Sequence, residues 1–175
     1  IIVLLKQEKD NKMAKTISTL DDVKKLVTEF VGKNPHLLER DGKMINTILA
    51  LQNKYGITSY HRDFDDDMEA VYSYEDKKII TVNGISKKKE RLYRAICLAH
   101  NIFAEANGEK PSSFLYKKGD PIYNNTEEKI IFDIATELLI VDKNFKNIAM
   151  QYGLDIKQLD EAYETTQAVV LTKLS

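Results

Sequence analysis

Cys97 and His100, three residues apart, have types and spacing that could support chemistry. A histidine can activate a cysteine as a nucleophile, and a histidine can also bind a metal ion. Both lie in the apolar run RLYRAICLAHNIFAEANG, where His100 shares a helical face with Ile96 and Phe103. The sequence supplies no third catalytic group beside the pair, so we interpret Cys97 as a packed core thiol. Two interpretations of His100 stay open: a hydrogen-bonded core histidine, which the apolar face favours, and a metal ligand.

A run of basic residues opens the same helix and could contact a phosphate or an acidic partner. It comprises Lys87, Lys88, Lys89, Arg91 and Arg94. Cations at a helix N-terminus are unfavourable with respect to the helix macrodipole, so their position favours a role in binding. A solvated face is the alternative, because charge runs usually are solvated.

An acidic cluster follows the first predicted strand. It comprises Asp63, Asp65, Asp66, Asp67 and Glu69, and its spacing does not match a calcium-binding loop. A solvated turn that discourages edge pairing is one interpretation. A docking patch for a basic partner is the other.

Length and composition favour one globular domain. The chain has 175 residues, of which 43% are hydrophobic, enough for a core. The 26 basic and 27 acidic residues give a net charge of −1, which argues against binding nucleic acid or an anionic membrane through bulk charge. The single cysteine cannot form an internal disulfide, which fits a cytoplasmic location.

The N-terminal residues 1–12 are interpreted separately from the domain. The run IIVLL is too short for a membrane span or a signal sequence, and Met13 resembles a natural start. We therefore expect residues 1–12 to be an extension or an expression remnant, and residues 13–175 to form the domain.

The remaining pattern predicts an α+β fold. Alternating apolar residues predict three short antiparallel strands at about 57–62, 69–75 and 78–83, which would form a meander. This meander would pack on five or six helices. Ser86 would cap the central helix, and the segment after Gly108 reads as an irregular loop.

Capping signals place the other helices. A capping box starts the first helix at Ser18-Thr19, and residues 36–56 are predicted to be helical with a break at Asp41-Gly42. Asn125, with Glu128 three residues later, would cap a buried helix from Thr126 to about residue 142. Two more helices follow, and the last, capped by Asp155, could extend to the C-terminus.

The order of these elements resembles the ImmA/IrrE metallopeptidase family. The resemblance covers roughly residues 42–160 and rests on Leu98-Ala99-His100 and on the motif ATELLI at 135–140. In that family the central helix reads approximately L-A-H-E-x-x-H, and a later helix supplies a glutamate. The resemblance implies a minimal zincin-like domain of a cytoplasmic protein, often encoded by phages or mobile elements, that acts beside helix-turn-helix repressors.

Transfer of the family motif gives an incomplete zinc site. His100 matches the first ligand, but Asn101 replaces the catalytic glutamate and cannot accept a proton from a metal-bound water. Ala104 replaces the second histidine, so a ligand is lost. Glu128, or next Glu127, would match the third ligand. The resemblance therefore leaves His100 and Glu128 as remnants, with no metal expected.

We accordingly expect a catalytically inactive relative that binds another protein, either a helix-turn-helix repressor or a host defence protein. The basic run and the acidic cluster are the candidate binding residues. One alternative is an active zinc peptidase with His100, Glu128 and His61 as ligands. Another is a DNA-binding regulator that uses residues 143–165, although the acidic balance of its second helix disfavours contact with phosphates.

Overall fold

Residues 17–175, the part of the chain that the computed structural model describes, contain seven α-helices, six β-strands and two short 3-10 helices at Pro35–Leu37 and Arg40–Gly42. The helices are α1 Leu20–Lys33, α2 Thr47–Tyr55, α3 Lys87–Asn107, α4 Thr126–Leu139, α5 Phe145–Gln151, α6 Ile156–Ala162 and α7 Gln167–Leu174. The strands are β1 Leu38–Glu39, β2 Met44–Ile45, β3 Thr58–Arg62, β4 Met68–Ser73, β5 Lys78–Val82 and β6 Phe114–Lys117. The predicted α+β class is confirmed, and the expectation for residues 1–12 lies outside the described residues.

Four strands form a mixed sheet in the order β3-β5-β4-β6. β5 is parallel to β3 and antiparallel to β4, and β6 is antiparallel to β4. Buried and half-buried side chains alternate along β4 and β5, which places Ala70, Tyr72, Ile79 and Thr81 on the buried face. This alternation is the period of two that a sheet with one covered face requires.

The predicted three-stranded antiparallel meander is wrong. Consecutive strands β3 and β4 do not pair, because β5 lies between them. The turn at 63–67 is held at the end of β5, where Asn83 Nδ2 donates to Asp63 Oδ1 at 2.8 Å. Alternation tells which residues share a face but not which strands are neighbours. The fourth strand, β6, was predicted to be loop, because prolines, glycines and asparagines surround its four residues.

α3 is the central helix of the fold, packed against the sheet, α2 and α4. Ser86 caps it as predicted, with its Oγ accepting from the Lys89 amide at 3.3 Å, and Gly108 ends it with φ 70°. Between Leu92 and Ala104 every residue except Arg94 is buried. A helix buried around nearly its whole circumference must be the spine of the hydrophobic core.

Two helix predictions are corrected. Residues 38–45 form the hairpin β1-β2, because Asp41 (φ 54°) and Gly42 (φ 74°) adopt left-handed conformations that helices do not continue through. The last predicted helix is two helices, α6 and α7, separated at Glu164 with φ 48°. The buried helix α4 begins at Thr126 as predicted and ends at Leu139.

No helix among residues 17–175 is long and apolar enough to cross a membrane.

Candidate functional site

His100 lies at an open cavity of about 480 Å³ that β6, the loop after it and the first turn of α4 enclose. Only 7% of the residue is exposed, and its ring stacks on Phe114 with centroids 5.2 Å apart. The predicted burial is therefore confirmed. The predicted hydrogen bond is not found, because the ring nitrogens of His100 have no hydrogen-bond partner among residues 17–175.

Burial keeps the His100 ring neutral. Loss of hydration lowers its pKa from 6.5 to about 4, and the opposing attraction of the Glu128 carboxylate is the smaller effect. A neutral imidazole carries one N–H donor and one acceptor nitrogen. Both capacities are therefore present at the cavity wall at pH 7.

Asn101, which the resemblance aligns with the catalytic glutamate of the ImmA/IrrE family, is hydrogen-bonded in the protein interior. Only 4% of it is exposed. Its Nδ2 donates to the Cys97 carbonyl oxygen at 2.8 Å, and its amide also forms hydrogen bonds with the Tyr72 hydroxyl at 3.1 and 3.3 Å. Asn101 does not belong to the described residues that line the cavity. Its amide therefore joins α3 to β4 instead of facing the cavity.

The other expected ligands do not complete a metal site either. Ala104 is 3% exposed and offers only a methyl group. His61 contacts Glu90 (Nε2–Oε1 2.9 Å) and Thr81 (Nδ1–Oγ1 3.4 Å) instead of approaching His100. Within residues 17–175 no three histidine, cysteine, aspartate or glutamate side chains come together in a way that could hold a metal ion. The alternative zinc ligand set of His100, Glu128 and His61 is thus not assembled.

Glu128 has the predicted capping role at the start of α4. Asn125 Oδ1 accepts from the Glu128 amide at 2.9 Å, and Glu128 Oε2 accepts from the Asn124 amide at 2.6 Å. The carboxylate also lines the cavity. Together with burial, the larger effect, its charge raises the pKa of Tyr116 to about 12. Glu128 therefore caps the helix and contributes negative charge to the cavity.

Cys97 is a core thiol, as predicted. It is fully buried, and loss of hydration raises its pKa well above the ordinary value. The thiolate is the reactive form of cysteine, so a buried thiol with a raised pKa makes a poor nucleophile.

The basic run at the start of α3 is largely paired inside the chain. Lys88 Nζ lies 2.7 Å from both Asp160 and Glu161 of α6. The other pairs are Lys89 with Glu69, Arg91 with Glu39 and Glu164, and Arg94 with Glu90 and Ser59. Lys87 is exposed and has no ion pair among the described residues. Carboxylates of the same chain thus already pair with most of the cations in this run.

The acidic cluster is divided between two roles. Asp63, Asp65, Asp66 and Asp67 are exposed in the turn between β3 and β4. Glu69 instead accepts from Lys89 Nζ and from the Tyr93 hydroxyl, both at 2.6 Å. The turn remains accessible to a partner, whereas Glu69 holds β4 against α3.

Residues 143–165 contain the helix pair α5 and α6, joined at Gly153. In α6, Asp160 is 6% exposed and its carboxylate pairs with Lys88. The phosphates of DNA would repel these acidic side chains, which instead hold α6 against the start of α3. This contact supports the interpretation of the pair as a packing element.

Sequence reasoning missed two residues that shape the site. Phe114 lies on the unpredicted strand β6, and Tyr72 was assigned to a strand without a functional role. The alternation of aromatic residues in FLYK was a signal for β6. The hydrogen bond between Tyr72 and Asn101 joins residues 29 positions apart, and no local pattern encodes it.

Comparison with known proteins adds no assignment. No protein-family model matches the chain, and no curated protein matches it.

Proposed function

We propose that this chain is a zincin-like relative of the ImmA/IrrE metallopeptidases that lacks peptidase activity and acts by binding another protein. The partner would be a helix-turn-helix repressor or a host defence protein, met in the cytoplasm within a phage or mobile-element circuit. The proposal draws on the sequence resemblance and on the fate of the residues at the family's catalytic positions.

The observation that carries the proposal is the position of Asn101. A metallopeptidase needs a carboxylate that takes a proton from the metal-bound water. Here an amide occupies that position, and its hydrogen bonds to Tyr72 and Cys97 turn it into the protein interior. General-base catalysis is not available to such a group. The well-packed fold around it supports a function that depends on the protein surface.

Zinc analysis of protein purified without chelator tests the loss of chemistry. We expect well below one zinc per chain and no hydrolysis of casein or of repressor proteins. Stoichiometric zinc that disappears in the His100→Ala variant would overturn the proposal.

A restored motif serves as the positive control. The double variant Asn101→Glu with Ala104→His reinstates the two missing groups beside His100. We expect zinc to raise the melting temperature of this variant and to leave that of the wild type unchanged. Circular dichroism establishes whether the variant is folded, since Ala104 is only 3% exposed.

The binding function has its own test. We expect a tagged wild-type chain to capture a protein from a host-cell lysate and to co-elute with it on size-exclusion chromatography, equally in the presence and absence of EDTA. Dissociation of the complex by EDTA would show that a metal takes part in binding and would contradict the proposal.

A further inference from the structure

The cavity beside His100 has the features of a binding site. Its volume of about 480 Å³ lies in the range of small-ligand sites and exceeds what a single metal ion needs. It lies between β6 and the first turn of α4, and it is open to solvent. A group on the surface of another molecule could therefore enter it.

His100 brings a polar ring to this cavity. Only 7% of the residue is exposed, and its ring nitrogens have no hydrogen-bond partner within residues 17–175. Neither nitrogen is one of the fully buried side-chain atoms that lack a hydrogen bond, which among these residues are the hydroxyl oxygens of Thr136, Thr165 and Thr166. The nitrogens therefore reach the open cavity, where water or a ligand can supply the hydrogen bond.

The charge of the cavity wall indicates which ligand would fit. Three carboxylates line it, those of Asp120, Glu127 and Glu128. Among the described residues of the wall there is no lysine or arginine that would neutralise them. The cavity is thus an acidic site of the kind that attracts a cation with N–H donors.

The aromatic residues of the wall favour an organic cation. Phe114 and Tyr116 line the cavity and lie in contact with each other, with ring centroids 5.2 Å apart. One face of Phe114 is stacked on His100 and one face of Tyr116 on Tyr93, so these rings present mainly apolar surface to the cavity. Such surface packs against the alkyl chain of a basic side chain. A guanidinium can also donate to a carboxylate and to an imidazole nitrogen at once, because its five N–H groups form a planar fork.

We propose that this cavity receives a basic side chain, an arginine or a lysine, from the protein partner, with Glu128 as the ion-pair partner and His100 as a hydrogen-bond acceptor. The inference rests on the proposed function, since it takes the partner to be a protein. It places the docking site beside the former catalytic position and identifies the partner's contact residue by its chemistry.

A tripeptide titration tests the inference on the whole protein. The probe is acetyl-Gly-Arg-Gly-amide, and the control is the same peptide with citrulline, the neutral isostere of arginine. Binding is followed by NMR through the carbon-bound ring protons of His100, with the exposed residues His36 and His61 as internal references. We expect millimolar binding of the arginine peptide that shifts the His100 signal alone, and at least tenfold weaker binding of the citrulline peptide.

Two substitutions separate the cavity from the general charge of the protein. Glu128→Gln retains the acceptor for the Asn124 amide and removes the charge, and we expect it to weaken the arginine peptide about tenfold. Asp65→Asn makes the same charge change in the exposed turn at 63–67 and should have no effect. Equal weakening by the two variants, or equal affinity for arginine and citrulline, would overturn the inference. Binding of agmatine as tight as that of the peptide would overturn the protein side chain as occupant in favour of a small cation.

The failure of this inference is distinguishable from failure of the proposed function. A zinc-free, inactive protein that does not bind the arginine peptide overturns the cavity assignment alone. A zinc-loaded protein with peptidase activity overturns the proposed function, whatever the peptide does.

Discussion

The polar side chains in the first turns of α3 and His100 in its middle differ in whether the protein supplies their partners. At the start of the helix, Lys88, Lys89, Arg91 and Arg94 are half-buried or exposed, and each is paired with a carboxylate of the same chain. In the middle, His100 is almost fully buried and its ring nitrogens have no hydrogen-bond partner among the described residues. The charged start therefore stabilises the fold, whereas the uncharged middle retains unused binding capacity.

This difference shows that a charge run in a sequence is weak evidence for a binding surface. The basic run attracted attention because cations oppose the dipole at a helix N-terminus. In the folded chain, α6 and the β1-β2 hairpin bring carboxylates to meet them. A polar side chain that lines a cavity without a partner among the described residues is the stronger indication of a ligand, because its hydrogen bonds remain available there.

The largest effect is expected from Lys88→Met. This substitution would leave Asp160, which is 6% exposed, as a buried carboxylate without its cation. We expect a loss of about 2 kcal/mol in the free energy of unfolding, discounted from the value for fully buried pairs because Lys88 is itself partly exposed. Urea denaturation followed by circular dichroism measures it. Lys87→Met is the matched control and should change stability by less than about 0.5 kcal/mol. Equal effects of the two would show that the pairing contributes nothing.

The dependence of stability on pH should show that His100 is neutral in the folded chain. Its pKa is about 4 in the folded chain and 6.5 in the unfolded chain, so only the unfolded chain gains this proton as the pH falls below 6.5. Stability from this residue is therefore fully present above pH 6.5 and is lost towards pH 4, by about 2 kcal/mol between pH 7.5 and 5. Denaturation at several pH values, for the wild type and for His100→Gln, isolates the contribution.

The variant His100→Gln should lose that part of the pH dependence. His36→Gln, at an exposed histidine, should retain it because His100 is intact. Identical pH profiles for the wild type and His100→Gln would mean that His100 titrates normally and is more hydrated than its burial indicates.

Tyr72→Phe tests whether Asn101 is structural. The substitution removes the hydroxyl that meets the Asn101 amide at 3.1 and 3.3 Å. We expect a loss of about 1 kcal/mol, because part of a buried amide is left unsatisfied. Thermal denaturation measures this loss against Tyr60→Phe, a control at an exposed tyrosine of β3. An unchanged melting temperature would indicate that the amide is not held by Tyr72.

The smallest effect, of opposite sign, is expected from His100→Leu. An apolar side chain of similar size replaces an imidazole that has no hydrogen-bond partner within residues 17–175, and it stands where the ring now stacks on Phe114. We expect a gain of up to about 1 kcal/mol at pH 7.5. Urea denaturation would show it. A loss of stability would mean that His100 makes an internal hydrogen bond in solution, and the comparison with the start of α3 would fail.

The individual elements were easier to predict than their arrangement. The caps at Ser86 and Asn125 and the strands near β4 and β5 were predictable, since each depends on residues within one or two turns. The hairpin β1-β2 was mistaken for helix because the two-residue strands are too short to show a period. β6 was missed because four residues among turn formers carry little pattern of their own.

The candidate site was predictable only as a set of separate residues. His100, Asn101, Ala104 and Glu128 were identified from spacing and resemblance, and the burial of His100 followed from its apolar helical face. The direction of the Asn101 amide depends on Tyr72, from another element. The acidic cavity depends on the position of β6 relative to α4, and no local signal gives that position.

The sequence by itself determined the α+β class, the buried central helix and the presence of Asn101 and Ala104, which cannot act as a general base or a zinc ligand, after His100. These follow from side-chain types and from periods within a few residues, which are local properties. Only the tertiary structure decided that the basic run pairs within the chain and that His100 has no hydrogen-bond partner among residues 17–175. Hydrogen bonds and ion pairs act over a few ångströms, so they depend on which distant residues the fold brings together around α3.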